Sequence, residues 1–148
     1  IATMKAGAVF EMDRLRSHDD AGDEVGGWTL RAEAAKAAAD GVDWSRKIAL
    51  QVMREELPLL IAVIMGWRQV FEVRHHGFAR NKSMRLENQD GGVLFLDLRE
   101  GARGAAVPIG AGHRFDLAML CANVLDRNHR EGGAAVGLDV LRDNAHLL

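Results

Sequence analysis

The sequence predicts an α+β domain: a small antiparallel four-stranded meander flanked by N-terminal helices and followed by a C-terminal amphipathic helix. Two apolar-alternating runs on either side of Asp90-Gly91 are a strong signal for a β-hairpin. Residues 30–39 are rich in alanine, the residue with the best intrinsic helix propensity. Residues 114–130 carry apolar side chains at the spacing of one helix face. Strands and helices therefore occupy separate parts of the chain.

Composition limits the classes of protein that fit. A chain of 148 residues with 48% hydrophobic and 27% charged residues is typical of one folded, soluble domain. The net charge of -2 excludes a uniformly basic nucleic-acid coat protein but allows a local basic face. Cys121 is the only cysteine, so one chain can form neither a disulfide nor a cysteine-based zinc site. We expect a reducing, cytoplasmic setting, and no apolar run is long enough to predict a membrane span.

The N-terminal residues 1–28 are acidic and rich in glycine, and we interpret them as a mobile arm in front of a single α+β domain at residues 29–148. Two alternatives stay open for the arm. Residues 9–15 could form a short strand or helical turn that docks on the domain. The acidic arm could also cover a basic surface when no ligand is bound.

Helices are predicted next. Thr29 precedes the alanine-rich run, and Asp40-Gly41 ends it, which indicates a helix over residues 30–39. Asp43 is a good N-cap for a second helix over residues 44–56. Pro58 interrupts this helix, and the apolar residues 59–65 form either a helix that begins with proline or a buried strand. We favour the helix.

The predicted sheet contains four strands, at residues 68–76, 83–88, 93–99 and 105–109. Alternation in the third strand places Leu94, Leu96 and Leu98 on the inner face. Pro108 cannot donate to a strand ladder, so the fourth strand lies at an edge. The helix at residues 114–130 and a shorter final helix complete the domain.

Basic residues concentrate in this sheet region, and lysine and arginine neutralise phosphates while aromatic rings such as Phe78 and Trp67 stack on bases. The candidate nucleic-acid-binding residues are Arg68, Arg74, His76, Arg80, Lys82, Arg85 and Arg99. The pattern predicts a non-enzymatic module that binds single-stranded DNA or RNA on a basic sheet face. We assign no catalytic residue, metal ligand or cofactor.

The order of strands supports this interpretation through a resemblance. Residues 93–100, a glycine-containing turn, the strand at residues 106–109 and the amphipathic helix resemble the single-strand-DNA-binding transcriptional coactivators of the positive-cofactor-four type. The resemblance spans residues 68–130. It implies a curved four-stranded sheet that binds single strands, a matching basic position at Arg99, and a homodimer formed through the helix at residues 115–124.

Three other interpretations fit parts of the sequence. The chain could be a protein-interaction or inhibitor protein of phage or mobile-element type that uses its acidic arm and apolar helices. A small metal-dependent hydrolase could take its ligands from the imidazoles of His75, His76, His113, His129 and His146, with Asp116 or Asp126 as the carboxylate. Adjacent histidines on a strand point to opposite faces, and no His-x-x-x-His spacing occurs, which disfavours a shared metal ion.

The third concerns the segment between the last strand and the long helix. Gly110-Ala111-Gly112 resembles a phosphate-binding turn at a helix start, where His113 and Arg114 could hold one backbone phosphate. The segment lacks the third glycine of a dinucleotide fingerprint, and we favour a simple tight turn.

Overall fold

The computed structural model describes residues 6–15, 26–129 and 132–148, and it has the predicted α+β class with antiparallel sheets. The strands are β1 (Ala6–Arg14), β2 (Trp28–Ala38), β3 (Gly41–Val42), β4 (Ile48–Gln51), β5 (Val70–His76), β6 (Lys82–Asn88), β7 (Leu94–Glu100) and β8 (Arg103–Ile109). The helices are α1 (Leu57–Ile64), α2 (Ala111–Asn128) and α3 (Gly133–Asn144), and short 3-10 turns lie at Trp44–Arg46, Asp90–Gly92 and Ala145–Leu147.

The first sheet is built around the long strand β2. Strand β1 pairs with it in antiparallel register from Ala6 opposite Lys36 to Arg14 opposite Trp28. Strands β3 and β4 pair with the other edge of β2, and the 3-10 turn at Trp44–Arg46 lies between them in the chain. They therefore act as one interrupted strand.

The helix predicted over residues 30–39 is wrong, because these residues belong to β2. Leu30, Ala32 and Ala34 alternate with Arg31 and Glu33, and all three apolar side chains are buried. Partners on both edges of the strand, together with burial of its alternate residues, outweigh the helix propensity of alanine. The small alanine side chains also allow close packing across the core.

The helix predicted over residues 44–56 is wrong for the same reason. Ile48, Leu50 and Val52 alternate along β4 and the residue after it, and all three are buried in the core. Thr29 fixes this segment by donating its hydroxyl hydrogen to the carbonyl oxygen of Val52 at 2.7 Å. Burial of every second residue, as in a strand, determines the structure of this segment rather than helix capping by Asp43.

The proposed arm at residues 1–28 is also corrected in part. Residues 6–14 form strand β1, which is paired over its whole length with β2. Ala6 and Ala8 are buried, so this segment belongs to the domain core. Residues 16–25, which hold most of the acidic side chains of the arm, lie outside the described residues.

The second sheet is an antiparallel meander in the order β5-β6-β7-β8. Among the residues that the structure describes, strand β8 pairs with β7 alone, so Pro108 lies in an edge strand as its missing N–H group requires. The turn between β6 and β7 uses Gly91 and Gly92, both at positive φ, a conformation that glycine adopts without steric cost. The hairpin predicted from Asp90-Gly91 is confirmed.

The core lies between the two sheets and is completed by helices. Leu94, Leu96 and Leu98 point inward and are fully buried, as predicted. Helix α1 begins with Pro58 in its first turn and buries six of its eight residues, so the helical interpretation of this apolar run is confirmed.

The apolar stripe of α2 also belongs to this core. Leu117, Cys121 and Val124 are buried against it. Burial raises the pKa of the Cys121 thiol to about 12. Along the described parts of the chain, every helix is too short or too polar to span a membrane.

Candidate nucleic-acid interface

The outer face of the second sheet carries arginines from three neighbouring strands. Successive residues of a strand point to opposite faces of the sheet. Since the residues next to them in each strand point into the core, Arg74 on β5, Arg85 on β6 and Arg99 on β7 point away from it. Their side chains are 69%, 43% and 64% exposed. This face is therefore open to solvent.

A shallow depression of about 410 Å³ lies on this face. Five of the seven candidate nucleic-acid-binding residues line it: Arg74, Arg80, Lys82, Arg85 and Arg99. They come from β5, the following turn, β6 and β7, so the meander brings together residues up to 25 positions apart. Its lining of five basic and two acidic side chains suits an anion such as a phosphate group.

Carboxylates interleave with these arginines. Glu72, Arg85 and Asp97 lie directly opposite one another in the register of β5, β6 and β7. Arg74 Nη2 lies 2.5 Å from Glu72 Oε1, and Arg85 Nη1 lies 2.9 Å from Glu72 Oε2. The hydrogen bond and charge of Arg74, followed by those of Arg85, lower the pKa of Glu72 below its ordinary value.

The other arginines have similar partners. Arg85 Nη2 lies 3.1 Å from Glu87, and the hydrogen bond to Glu87 is the main cause of the raised pKa of Arg85. Arg99 Nη2 lies 3.0 Å from Asp97. Exposed ion pairs contribute only about 0–1 kcal/mol, so the oxygens of a bound phosphate can replace these carboxylates.

The sequence itself contains a signal for these ion pairs. Each exposed strand carries an acid and a base two positions apart: Glu72 with Arg74, Arg85 with Glu87, and Asp97 with Arg99. In a strand, this spacing places both side chains on one face. The sequence segment has a local excess of basic residues, but on the folded surface acidic and basic side chains alternate.

A β-bulge changes the predicted roles of the two adjacent histidines. The pairing of β5 with β6 shifts between Val73 and His76, and His75 adopts a left-handed conformation with φ of 61°. His75 therefore lines the depression. His76 turns away from it, and its Nε2 atom lies 2.8 Å from Glu56 Oε1, with the side chain only 9% exposed.

Arg68 lies away from the other candidates as well. Its guanidinium donates hydrogen bonds to the carbonyl oxygens of Ala145 and His146, at 3.2 and 3.4 Å. These contacts attach the C-terminal turn to the start of the second sheet. The structure therefore does not bring Arg68 or His76 together with the five residues of the depression.

Lys82 contributes to the depression and also connects the two sheets. Its ammonium group donates to the carbonyl oxygen of Ala49 on β4 at 2.9 Å and lies 3.3 Å from Glu100 on β7. Replacing Lys82 would therefore disturb packing as well as charge.

The start of α2 has a structural role. Arg114 donates hydrogen bonds to the carbonyl oxygens of Ile64 at 2.9 Å and Gly92 at 3.2 Å. These bonds join α2 to α1 and to the turn before β7, and burial lowers the pKa of Arg114. Its guanidinium is thus occupied, while His113 remains exposed beside β1.

The two candidate aromatic rings differ in exposure. Phe78, in the turn between β5 and β6, is fully exposed, whereas Trp67 is partly buried.

For the metal interpretation, the described residues contain no group of three or more histidine, cysteine, aspartate or glutamate side chains placed to hold an ion.

Comparisons with known proteins show the fold. No protein-family model and no curated protein sequence matches the chain. The crystal structure of WHY3 from Arabidopsis thaliana is similar over all of this chain and 95% of its own, with a TM-score of 0.64 and 19% identity. The plant transcriptional regulator PBF-2 is similar over 86% of both chains, with a TM-score of 0.58 and 16% identity.

Proposed function

We propose that this protein is a non-enzymatic nucleic-acid-binding module that holds a single strand on the outer face of the β5–β8 sheet. The observation that carries the proposal is the open depression on that face, where cationic side chains from neighbouring strands converge. A phosphate entering it meets guanidinium groups on several sides. The proposed contact residues are Arg74, Arg80, Lys82, Arg85 and Arg99.

The mixture of charges favours one or a few phosphates over a long duplex backbone. Glu72, Glu87 and Asp97 lie among the arginines and would repel a phosphate backbone that crossed the whole face. A flexible single strand can place individual phosphates beside the arginines and turn its bases outward. The shared fold with a plant transcriptional regulator is consistent with a role on nucleic acid.

We also propose that the active form is a homodimer. The apolar stripe of α2 is used in the core, so the predicted contact through residues 115–124 has to involve its outer side. Phe115 and Met119 lie one helical turn apart there and are 64% and 50% exposed. The mass of the intact assembly tests this proposal.

One observation favours the alternative of a protein-interaction protein. A groove of about 540 Å³ runs between α1 and α3, and most of its exposed surface is apolar. Val136 and Val140 on α3 are more than half exposed at its edge. A groove of this kind suits an apolar segment of a protein better than a phosphate.

An oligonucleotide titration separates the two functions. The protein is titrated at low salt against a single-stranded oligonucleotide of mixed sequence and against a duplex of the same sequence. Tighter binding of the single strand, weakening as salt rises, is the expected result. No binding of either at low salt, combined with co-purification of a protein partner, would favour the alternative function.

A further inference from the structure

Phe78 has the most exposed large apolar side chain in the described part of the chain, at 107% of its reference area. It lies in the turn between β5 and β6, between Gly77 and Ala79. A phenylalanine ring in water stabilises nothing in the folded monomer, because burial is what makes apolar surface favourable. The exposure leaves the ring available to a ligand that covers it.

The turn that carries the ring has a constrained backbone. His75 and Arg80 both adopt left-handed conformations, with φ of 61° and 54°, and Gly77 between them has φ of 78°. Residues other than glycine seldom occupy this region, and they cluster at ligand-binding sites. The N–H group of Arg80 donates to the carbonyl oxygen of Gly77 at 3.1 Å and closes the turn.

Contacts on both sides hold this turn on the domain. His76 is tied to Glu56, and the carbonyl oxygen of Asn81 accepts a hydrogen bond from the N–H group of Gly101 at 3.0 Å. The ring is therefore presented on a fixed support. Ordering such a turn on binding has a small entropic cost, since its backbone is already fixed.

The turn that carries Phe78 also carries a basic residue of the depression. Arg80, two residues from Phe78, has no carboxylate partner among the residues that the structure describes. Arg80 lines the depression together with Arg74 and His75. An aromatic ring and an unpaired cation on one turn suit the base and the phosphate of one nucleotide.

We propose that Phe78 is a stacking site for one unpaired base, with the adjacent phosphate held by Arg80 and Arg74. This inference rests on the proposed function and adds a position and a ligand class to it. Bases inside a duplex already stack on each other, so a ring at a turn reaches unpaired bases only. The site therefore selects single strands over duplex.

The test removes the ring and the base separately. Phe78→Leu keeps an apolar side chain but removes the aromatic face, and Phe78→Trp enlarges that face. Stacking predicts that Phe78→Leu weakens binding of a short single-stranded oligonucleotide by about five- to a hundredfold and that Phe78→Trp binds at least as well as the wild type. The salt dependence of binding should stay unchanged in both variants.

An oligonucleotide in which every position is abasic serves as the matched control ligand. It has the same phosphates and no bases, so Phe78→Leu should bind it as well as the wild type does. Arg80→Gln should weaken both ligands and reduce the slope of log affinity against log salt by about 0.7. The melting temperature of each variant, expected to be unchanged, checks the fold.

Different failures have different meanings. If the wild type binds no oligonucleotide at low salt, both the proposed function and the stacking site are wrong. If the wild type binds but Phe78→Leu binds equally well, only the stacking site is wrong. A Phe78→Leu variant with a smaller assembly mass and unchanged affinity would assign the ring to self-association and overturn the proposal.

Discussion

Glu72 and Arg85 form an ion pair of 2.9 Å between adjacent strands, and they are direct partners in the register of β5 and β6. The pair lies on the open face that we propose as the nucleic-acid surface. Glu72 also binds Arg74, so two of the arginines share one carboxylate. In the proposed complex, a phosphate takes the place of this carboxylate.

Replacing Glu72 by glutamine should therefore strengthen binding. The change removes a negative charge that competes with phosphate and releases Arg74, while Arg85 keeps its ion pair with Glu87. Because exposed ion pairs are weak, we expect a gain of about two- to fivefold in affinity for a single strand at low salt.

The matched control is Glu55→Gln, which makes the same change of charge at an exposed position between β4 and α1. It should have a smaller effect, because it acts only through the net charge of the protein. Equal gains from both variants, or weaker binding by Glu72→Gln, would show that Glu72 does not compete with the ligand.

A second prediction concerns stability. Asn128 at the end of α2 accepts a hydrogen bond from the N–H group of Trp28 at 2.7 Å and donates one to the carbonyl oxygen of Trp28 at 2.8 Å. It thus satisfies both backbone groups at the start of β2, 100 residues away in sequence. Asn128→Ala should lower the free energy of unfolding by about 1–3 kcal/mol.

Asn123→Ala on the same helix is the control, because Asn123 is exposed. Urea denaturation of the two variants should separate them by at least 1 kcal/mol. Equal midpoints would mean that the contact with Trp28 contributes nothing measurable to the fold.

A third prediction uses the buried thiol. Because burial raises the pKa of Cys121 to about 12, the folded protein holds almost no thiolate at pH 8. Iodoacetamide should leave the folded protein unmodified over hours and should alkylate it in denaturant. Mass spectrometry of the intact protein measures the modification. Rapid alkylation without denaturant would contradict the burial of this residue.

The sign of the pH dependence follows from the same shift. A raised pKa means that folding favours the neutral thiol, so this contribution to stability is complete below the pKa of the unfolded thiol. It is lost as pH rises from about 9 towards 12. Cys121→Ala should lack this component of the alkaline loss of stability.

Local signals predicted the second sheet well. Three local features each favour a single structure, and the structure agrees with all of them. They are the Asp90-Gly91 turn, the leucines at 94, 96 and 98, and Pro108. Turn chemistry and period-two burial act within a few residues, so a single sequence contains them.

The first sheet could not be predicted from propensity. Residues 30–39 favour a helix in isolation, and they form β2 because β1 and β4 supply hydrogen bonds on both edges. Those partners lie far away in sequence. The alternation of Leu30, Ala32 and Ala34 was the available signal, and the alanine content concealed it.

The candidate site was predicted in outline. Alternation places Arg74, Arg85 and Arg99 on one face, and the structure has them there. Sequence spacing predicts His76 on the open face, whereas in the structure His75 lies there. The cause is a β-bulge that sequence spacing does not reveal, since one extra residue moves every later side chain of the strand to the opposite face. The exposure of Phe78 likewise depends on the conformation of its turn.

The salt dependence of oligonucleotide binding tests the central claim most directly. A triple variant, Arg74→Gln with Arg85→Gln and Arg99→Gln, is compared with a control that loses the same charge elsewhere, at Lys36, Arg46 and Arg142. We predict that the first variant loses at least tenfold in affinity at low salt and that its salt slope falls by about 2, while the control changes little. Equal affinities and slopes for the two variants would contradict nucleic-acid binding on this face.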